Sequence, residues 1–133
     1  MQILAVDGGD KALVSQFARL REAGYDVTQA ATFEAARKIL LSRDDHVDLL
    51  VTGLRLSAYN GLHLVSYTQS FCADTAAIVV DGAADPLNEL EAHRVGAAYL
   101  AAPVEAEQLR VLVEAAITSR AHQALATSRS TVG

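Results

Sequence analysis

The sequence predicts a doubly wound α/β domain. Three observations lead there. Short apolar runs with no polar alternation recur five times, as expected of strands in a parallel sheet covered on both faces. Each run is followed by a stretch whose apolar residues recur at helical spacing. The joints between them hold Gly, Asp, Asn and Pro. At 133 residues the chain is long enough for one domain with one core. Right-handed crossovers are expected throughout.

The elements are read in order. Residues 2–6, Q-I-L-A-V, form the first strand and end at D-G-G-D. Residues 11–23 carry Leu13, Val14, Phe17, Ala18 and Leu20 on one helical face, with Asp10 as N-cap and Gly24 just past the end. Residues 25–30, Y-D-V-T-Q-A, make a weaker second strand. Thr32 caps the second helix, whose Phe33, Ala36, Ile39 and Leu40 point inward. R-D-D-H at 43–46 is a polar loop.

The third strand spans 47–52, leaves the sheet at Gly53 and runs through a polar loop to a turn at Asn60-Gly61. Leu62, Val65 and Phe71 carry the third helix. The fourth strand, 76–80, is the most apolar and stops at Asp81-Gly82. Pro86 sits in the first turn of the fourth helix, where its missing N–H costs little; Leu87, Leu90 and Val95 continue that helix to Gly96. Residues 97–101 are the last strand. The final helix covers 104–118, with Leu109, Leu112, Val113 and Ala116 inside. The reading is a domain over 1–119 and a helix extension, tail or linker over 120–133.

Composition narrows the function. Hydrophobic residues are 51% and charged residues 20%, a globular balance. No apolar run approaches the ~20 residues that span a bilayer, and no basic segment with an apolar stretch opens the chain. Cys72 is alone, so no internal disulfide forms. A cytoplasmic protein is expected. The net charge of −5 argues against nucleic-acid binding, which needs a basic stripe. Residues 67–133 hold four Lys/Arg against eight Asp/Glu, either a solvated face or a docking surface for a basic partner.

In a doubly wound sheet, chemistry sits beyond the carboxyl ends of the strands. Four runs there stand out: I-L-A-V-D at the start, D-L-L-V-T-G-L-R-L-S-A-Y-N-G-L at 48–62, I-V-V-D-G-A-A-D from 78, and G-A-A-Y-L-A-A-P-V from 96. In this order they resemble the bacterial response-regulator receiver family, over roughly residues 1–118. The resemblance implies a flavodoxin-like, three-layer fold: a five-stranded parallel sheet of order 2-1-3-4-5 with five helices. It also implies a place in two-component signal transduction.

The departures fall on the residues that carry the family's chemistry. Of the two adjacent acids that help hold magnesium, Asp7 remains and the second is Gly8. The phosphoacceptor Asp is Gly53. The hydroxyl residue that contacts the phosphoryl group is Asp81, and the phosphate-pairing Lys is Ala102, before Pro103. Ser57 replaces a Pro. Tyr99 matches the aromatic that rotates between states.

Gly53 has no side chain and cannot form an acyl phosphate. Neither Thr52, which alternates away from the site, nor Thr75, which precedes the fourth strand, replaces it. Magnesium needs hard oxygen ligands, so Asp7 alone binds it weakly or not at all and no cofactor is expected. Asp81 repels a phosphate by about 4 kcal/mol at ~4 Å and an effective dielectric of 20, and no lysine offsets it.

Plainer roles also exist. Gly53 can serve close backbone approach, Asp7 a helix cap or polar lid, and Asp81-Gly82 a turn. Tyr99 can be a packed, half-exposed aromatic. D-G-G-D lacks the spacing and Lys of a phosphate loop. His46, His63, His93 and His122 show no metal-ligand spacing with Cys72.

The expected function is a degenerate pseudo-receiver that signals by phosphorylation-independent protein–protein interaction, with a protein partner or an output domain. It is not an enzyme and binds no nucleic acid or membrane. The resemblance places the contact face on the fourth helix, fifth strand and fifth helix, at Glu89, Glu91, Arg94, Tyr99, Glu105, Arg110 and Glu114, where a homodimer can form. The alternative is a small-molecule or cation sensor using the pocket near Asp7 and Asp81.

Overall fold

The computed structural model describes residues 2–42, 46–56, 59–72, 74–105 and 107–118. Ser57 and the segment 120–133 lie outside the described residues, as does most of the 43–46 loop.

Strand β1 (Gln2–Val6) is followed by helix α1 (Lys11–Glu22), β2 (Asp26–Ala30) and α2 (Phe33–Leu41). Next come β3 (Leu49–Gly53), two short strands β4 (Arg55–Leu56) and β5 (Tyr59–Asn60), and α3 (Gly61–Phe71). The chain continues through β6 (Ala76–Asp81), α4 (Pro86–Arg94) and β7 (Ala98–Ala101) to a last helix, α5, over residues 107–118. The main sheet has five parallel strands in the order β2-β1-β3-β6-β7. Its sequential order is therefore 2-1-3-4-5, as the resemblance implies.

Strand alternation sorts the core into two clusters, one per face of the sheet. Ile3, Ala5, Leu49, Val51, Ile78 and Val80 pack with Leu13, Phe17 and Leu20 of α1 and Leu109 and Val113 of α5. Leu4, Val6, Leu50, Ala77 and Val79 pack with Ala36 and Leu40 of α2, Leu64 and Val65 of α3, and Ala92 of α4. The result is three layers, with α1 and α5 on one side and α2, α3 and α4 on the other. All five residues of β3 are buried, which is why it reads as a continuous apolar run.

The caps at Asp10 and Thr32 form as the sequence predicts, and Asn60 and Asp85 add two more. The Asp10 carboxylate accepts from the Ala12 and Leu13 N–H groups, and Thr32 accepts from Ala35. Asn60 accepts from Leu62, and Asp85 from Leu87 with Pro86 in the first turn of α4. Gly24 takes φ +100° past the end of α1, a backbone state few side chains tolerate.

Several expectations need correction. Gly53 is the last residue of β3 rather than the exit from it. Beyond it, β4 and β5 pair antiparallel, Arg55 with Asn60 and Leu56 with Tyr59, where a polar loop was expected. Val14 and Ala18 are exposed, because α1 touches the sheet through the narrow line Leu13, Phe17, Leu20 and a residue 100° further round falls off it. Phe71 is 65% exposed, since its ring packs on Tyr67 at 4.8 Å rather than on the sheet. Leu87 and Leu90 also face outward: α4 buries only Ala92. Val104 and Glu105 precede the last helix rather than opening it.

Candidate functional site

The parallel register brings the ends of β1, β3 and β6 together. Asp7 follows β1, Gly53 ends β3 beside Val80, and Asp81 ends β6 beside Ala101. They border one cavity of about 430 Å³, with Asp10, Asp85, Asn88 and Arg55 also on its wall. Four carboxylates against one guanidinium make this an acidic pocket. It disfavours an incoming anion. The two helix N-termini that could attract one, those of α1 and α4, are already capped by Asp10 and Asp85.

At the family's acceptor position the space is partly taken. A Cβ built on Gly53 lies 2.9 Å from the Leu13 Cδ1 methyl. Apolar α1 side chain thus stands where an acceptor side chain begins. The neighbouring position is blocked more firmly. Gly8 has φ +60°, and a Cβ there lies 2.5 Å from the Arg55 carbonyl oxygen. A second acid at that position requires the backbone to move.

Asp7 is 5% exposed, and each of its oxygens accepts a hydrogen bond from its own chain. One carboxylate oxygen accepts from the Gly9 N–H at 2.7 Å and the other from the Gln29 side-chain amide at 2.9 Å. Magnesium takes near-octahedral oxygen ligands, one or two carboxylates among them, and here both Asp7 oxygens are turned to the Gly9 and Gln29 donors. Among the described residues no group of three or more His, Cys, Asp or Glu could hold a metal ion. Nor is any described helix long and apolar enough to cross a membrane.

Asp81 has a different set of partners. One oxygen accepts from the Tyr99 hydroxyl at 2.6 Å and from the Asn88 amide at 3.0 Å. The Tyr99 oxygen in turn accepts from the Asp85 backbone N–H at 3.1 Å. Burial alone pushes the Asp81 carboxyl up. The bonds from Tyr99, Asn88 and the Ala83 and Gly82 backbone outweigh it, so the carboxyl lies below its ordinary value. Tyr99 moves the other way: burial and its bond to Asp81 raise the phenol.

The remaining site residues are scattered. Ala102 is exposed, joined to Pro103 by a cis bond, and outside the cavity wall. Thr52 and Thr75 are buried and point their hydroxyls at backbone carbonyls of Gly53 and Val47. Glu89, Glu91 and Arg94 are exposed on α4 and Glu105 just before α5, but Arg110 lies on the side of α5 that faces α1, bordering a cleft with Gln16, Arg19 and Leu20, away from the expected contact face. Glu114 leads away from them, accepting from Tyr25 at 3.4 Å near the start of β2.

Sequence reasoning missed Leu13, Gln29 and Asn88. Asn88 carries a legible signal, because it lies one helical turn after the Asp85 cap and so on the strand-end side of α4. Gln29 and Leu13 follow from strand pairing and helix placement, which spacing alone does not provide.

Neither a protein-family model nor a curated protein matches the chain. Solved structures do. A CheY-like receiver domain protein from Methanospirillum hungatei JF-1 superposes with a TM-score of 0.82 at 24% identity, over 92% of this chain and 97% of that one. The chain has the receiver fold. NtrX from Brucella abortus matches with a TM-score of 0.86 at 18% identity, over 96% of this chain but only 29% of its own. A Rhodopirellula baltica structure described as an adenylate cyclase matches at 0.81 and 19% identity, over 98% and 95%. The receiver fold thus occurs in structures of quite different description.

Proposed function

We propose that the chain is an atypical receiver of two-component signal transduction, acting through phosphorylation-independent protein–protein interaction and catalysing no reaction of its own. The observation that carries this reading is Gly53: it has no nucleophile, and the Leu13 methyl takes part of the space an acceptor side chain needs. The acidic wall and the Arg55 carbonyl behind Gly8 support it. Magnesium binding at Asp7 is weak or absent, since both oxygens already accept hydrogen bonds. A cytoplasmic setting accords with this role.

The partner meets the face formed by α4, β7 and α5. Leu87 and Leu90 are 72% and 50% exposed on α4 and Val111 61% on α5, with Glu89, Glu91 and Glu105 exposed as well, whereas Glu107 and Arg110 border a cleft with Gln16 and Arg19 of α1. Arg94 is drawn to Glu91 at 3.3 Å, and Arg110 to Glu107 at 3.7 Å, within their own helices. What remains is acidic and apolar. That suits a basic, apolar surface on a protein partner or an output domain better than a second acidic copy at the same face. Nucleic acid is disfavoured for the same reason.

The sensor reading keeps one observation in its favour, the open cavity of about 430 Å³ beside Asp7 and Asp81. A cation there competes with Gln29, Tyr99 and Asn88 for the Asp7 and Asp81 oxygens.

The deciding experiment incubates the protein with magnesium and a small acyl phosphate, then reads intact mass and size-exclusion profile together. An unchanged mass and profile are expected. A single phosphoryl adduct refutes the reading and makes Asp7, Asp48 and Asp81 the residues to substitute.

A further inference from the structure

Four of the chain's seven aromatic residues lie in one surface array, away from the cavity and from β7. Phe33 of α2 stacks on Tyr59 of β5 at 4.6 Å and meets Tyr67 of α3 edge-on at 6.4 Å. Tyr67 continues to Phe71 at 4.8 Å. The array is not core: Tyr59 is 46% exposed, Phe71 65%, and Leu41, at the end of α2, 50%. Arg37 completes it, its guanidinium 6.0 Å from the Tyr67 ring.

Charge is distributed to match. Helix α3 contains no Asp, Glu, Lys or Arg along its eleven residues, although His63, Ser66, Gln69, Ser70 and Phe71 face outward. Aromatic and Arg enrichment with charge depletion is the composition of an interface centre. A solvated helix face in a chain of net charge −5 is ordinarily charged.

We propose that this face, formed by α2, α3 and β5, is an isologous contact between two copies of the chain. The charges favour a second copy as the occupant. A two-fold contact sets like against like, so its centre must be uncharged, and α3 is. The flanking charges must be self-complementary, and α2 supplies both signs, Glu34 against Arg37 and Lys38. Glu34 and Arg37 are one turn apart and exposed, and neither forms an ion pair with a described residue. Across a two-fold axis each meets the other's counterpart. The α4 and α5 helices lack this property, because their arginines are taken by neighbouring glutamates and the excess is negative. Self-association on α2–α3 leaves the α4–β7–α5 face free for the proposed partner.

The test is sedimentation equilibrium of the full chain under reducing conditions, up to ~100 µM, for wild type, Phe71→Glu and Leu90→Asp. Phe71 and Leu90 are exposed, and circular dichroism melts check that both variants fold. The expected result is a reversible wild-type dimer, a dissociation constant raised at least ~30-fold by Phe71→Glu, and no change with Leu90→Asp. If Phe71→Glu does not fold, Tyr59→Asp replaces it. A wild-type monomer throughout the range overturns the proposal. So does a dimer that survives the folded aromatic variant, or one that Leu90→Asp dissolves.

Discussion

The Tyr99 hydroxyl donates to the Asp81 carboxylate over 2.6 Å, tying the edge strand β7 to the end of β6 from side chain to side chain. The bond has an ionised acceptor and is partly buried. Removing it in Tyr99→Phe is expected to lower stability by about 1–2 kcal/mol in urea denaturation. Asn88→Ala, which removes the second donor to the same oxygen, is expected to cost less.

The same contact fixes a pH dependence. The Asp81 carboxyl in the folded protein lies below its ordinary 3.8. The unfolded chain therefore takes up this proton first as pH falls. Asp81 contributes its stability above the ordinary value and loses it as pH drops through the folded value. Wild-type thermal stability should decline below about pH 4, and Asp81→Asn should flatten that decline while lowering stability at neutral pH.

Placing acids at Gly53 and Gly8 is expected to have unequal costs. Gly53→Asp meets a side-chain methyl of Leu13, which can turn aside, at a cost of about 1 kcal/mol. Gly8→Asp meets a backbone carbonyl from a positive φ, at a cost of about 2 kcal/mol or more. Chemical denaturation of the two single variants reads the difference directly. Equal losses would show that the Arg55 carbonyl yields as easily as Leu13.

Gly61 is expected to be the least replaceable glycine. A Cβ there runs into the Gly53 carbonyl, and its N–H bonds the Leu54 carbonyl at 2.6 Å. Gly61→Ala should lose more than 2 kcal/mol, although alanine is the better helix former. A loss below 1 kcal/mol would mean the β4–β5 ribbon shifts freely.

Helix α4 is held by its cap more than by its core. With Ala92 as its buried residue, it depends on Asp85, which caps the first turn through Leu87. Asp85→Ala should cost about 1 kcal/mol and speed amide exchange across α4 while leaving α1 unchanged. Uniform acceleration across both helices would count against this.

Much of the fold was legible because parallel strands covered on both faces leave unbroken apolar runs, and β1, β3 and β6 have them. The N-caps at Asp10 and Thr32 followed from residue type. Helix faces were read less well. Leu87, Leu90 and Phe71 obey helical spacing yet point outward, since periodicity shows that a stripe exists but not what covers it. The β4–β5 ribbon was missed because two residues per strand give no alternation to read. At the site, the absence of side chains at Gly8 and Gly53 was plain in the sequence. That Leu13 and the Arg55 carbonyl occupy their surroundings was not, since both contacts join elements far apart in the chain.

The two close approaches around Gly53 and Gly8 also set an order of repair. A side chain at Gly53 asks only that one leucine methyl rotate, whereas one at Gly8 asks the backbone at Arg55 to move. An engineer building a charged site at these strand ends would therefore begin at Gly53 and would have to redesign the β4–β5 ribbon before touching Gly8. The ribbon, and not the sheet, is what locks the mouth of the cavity in its present form.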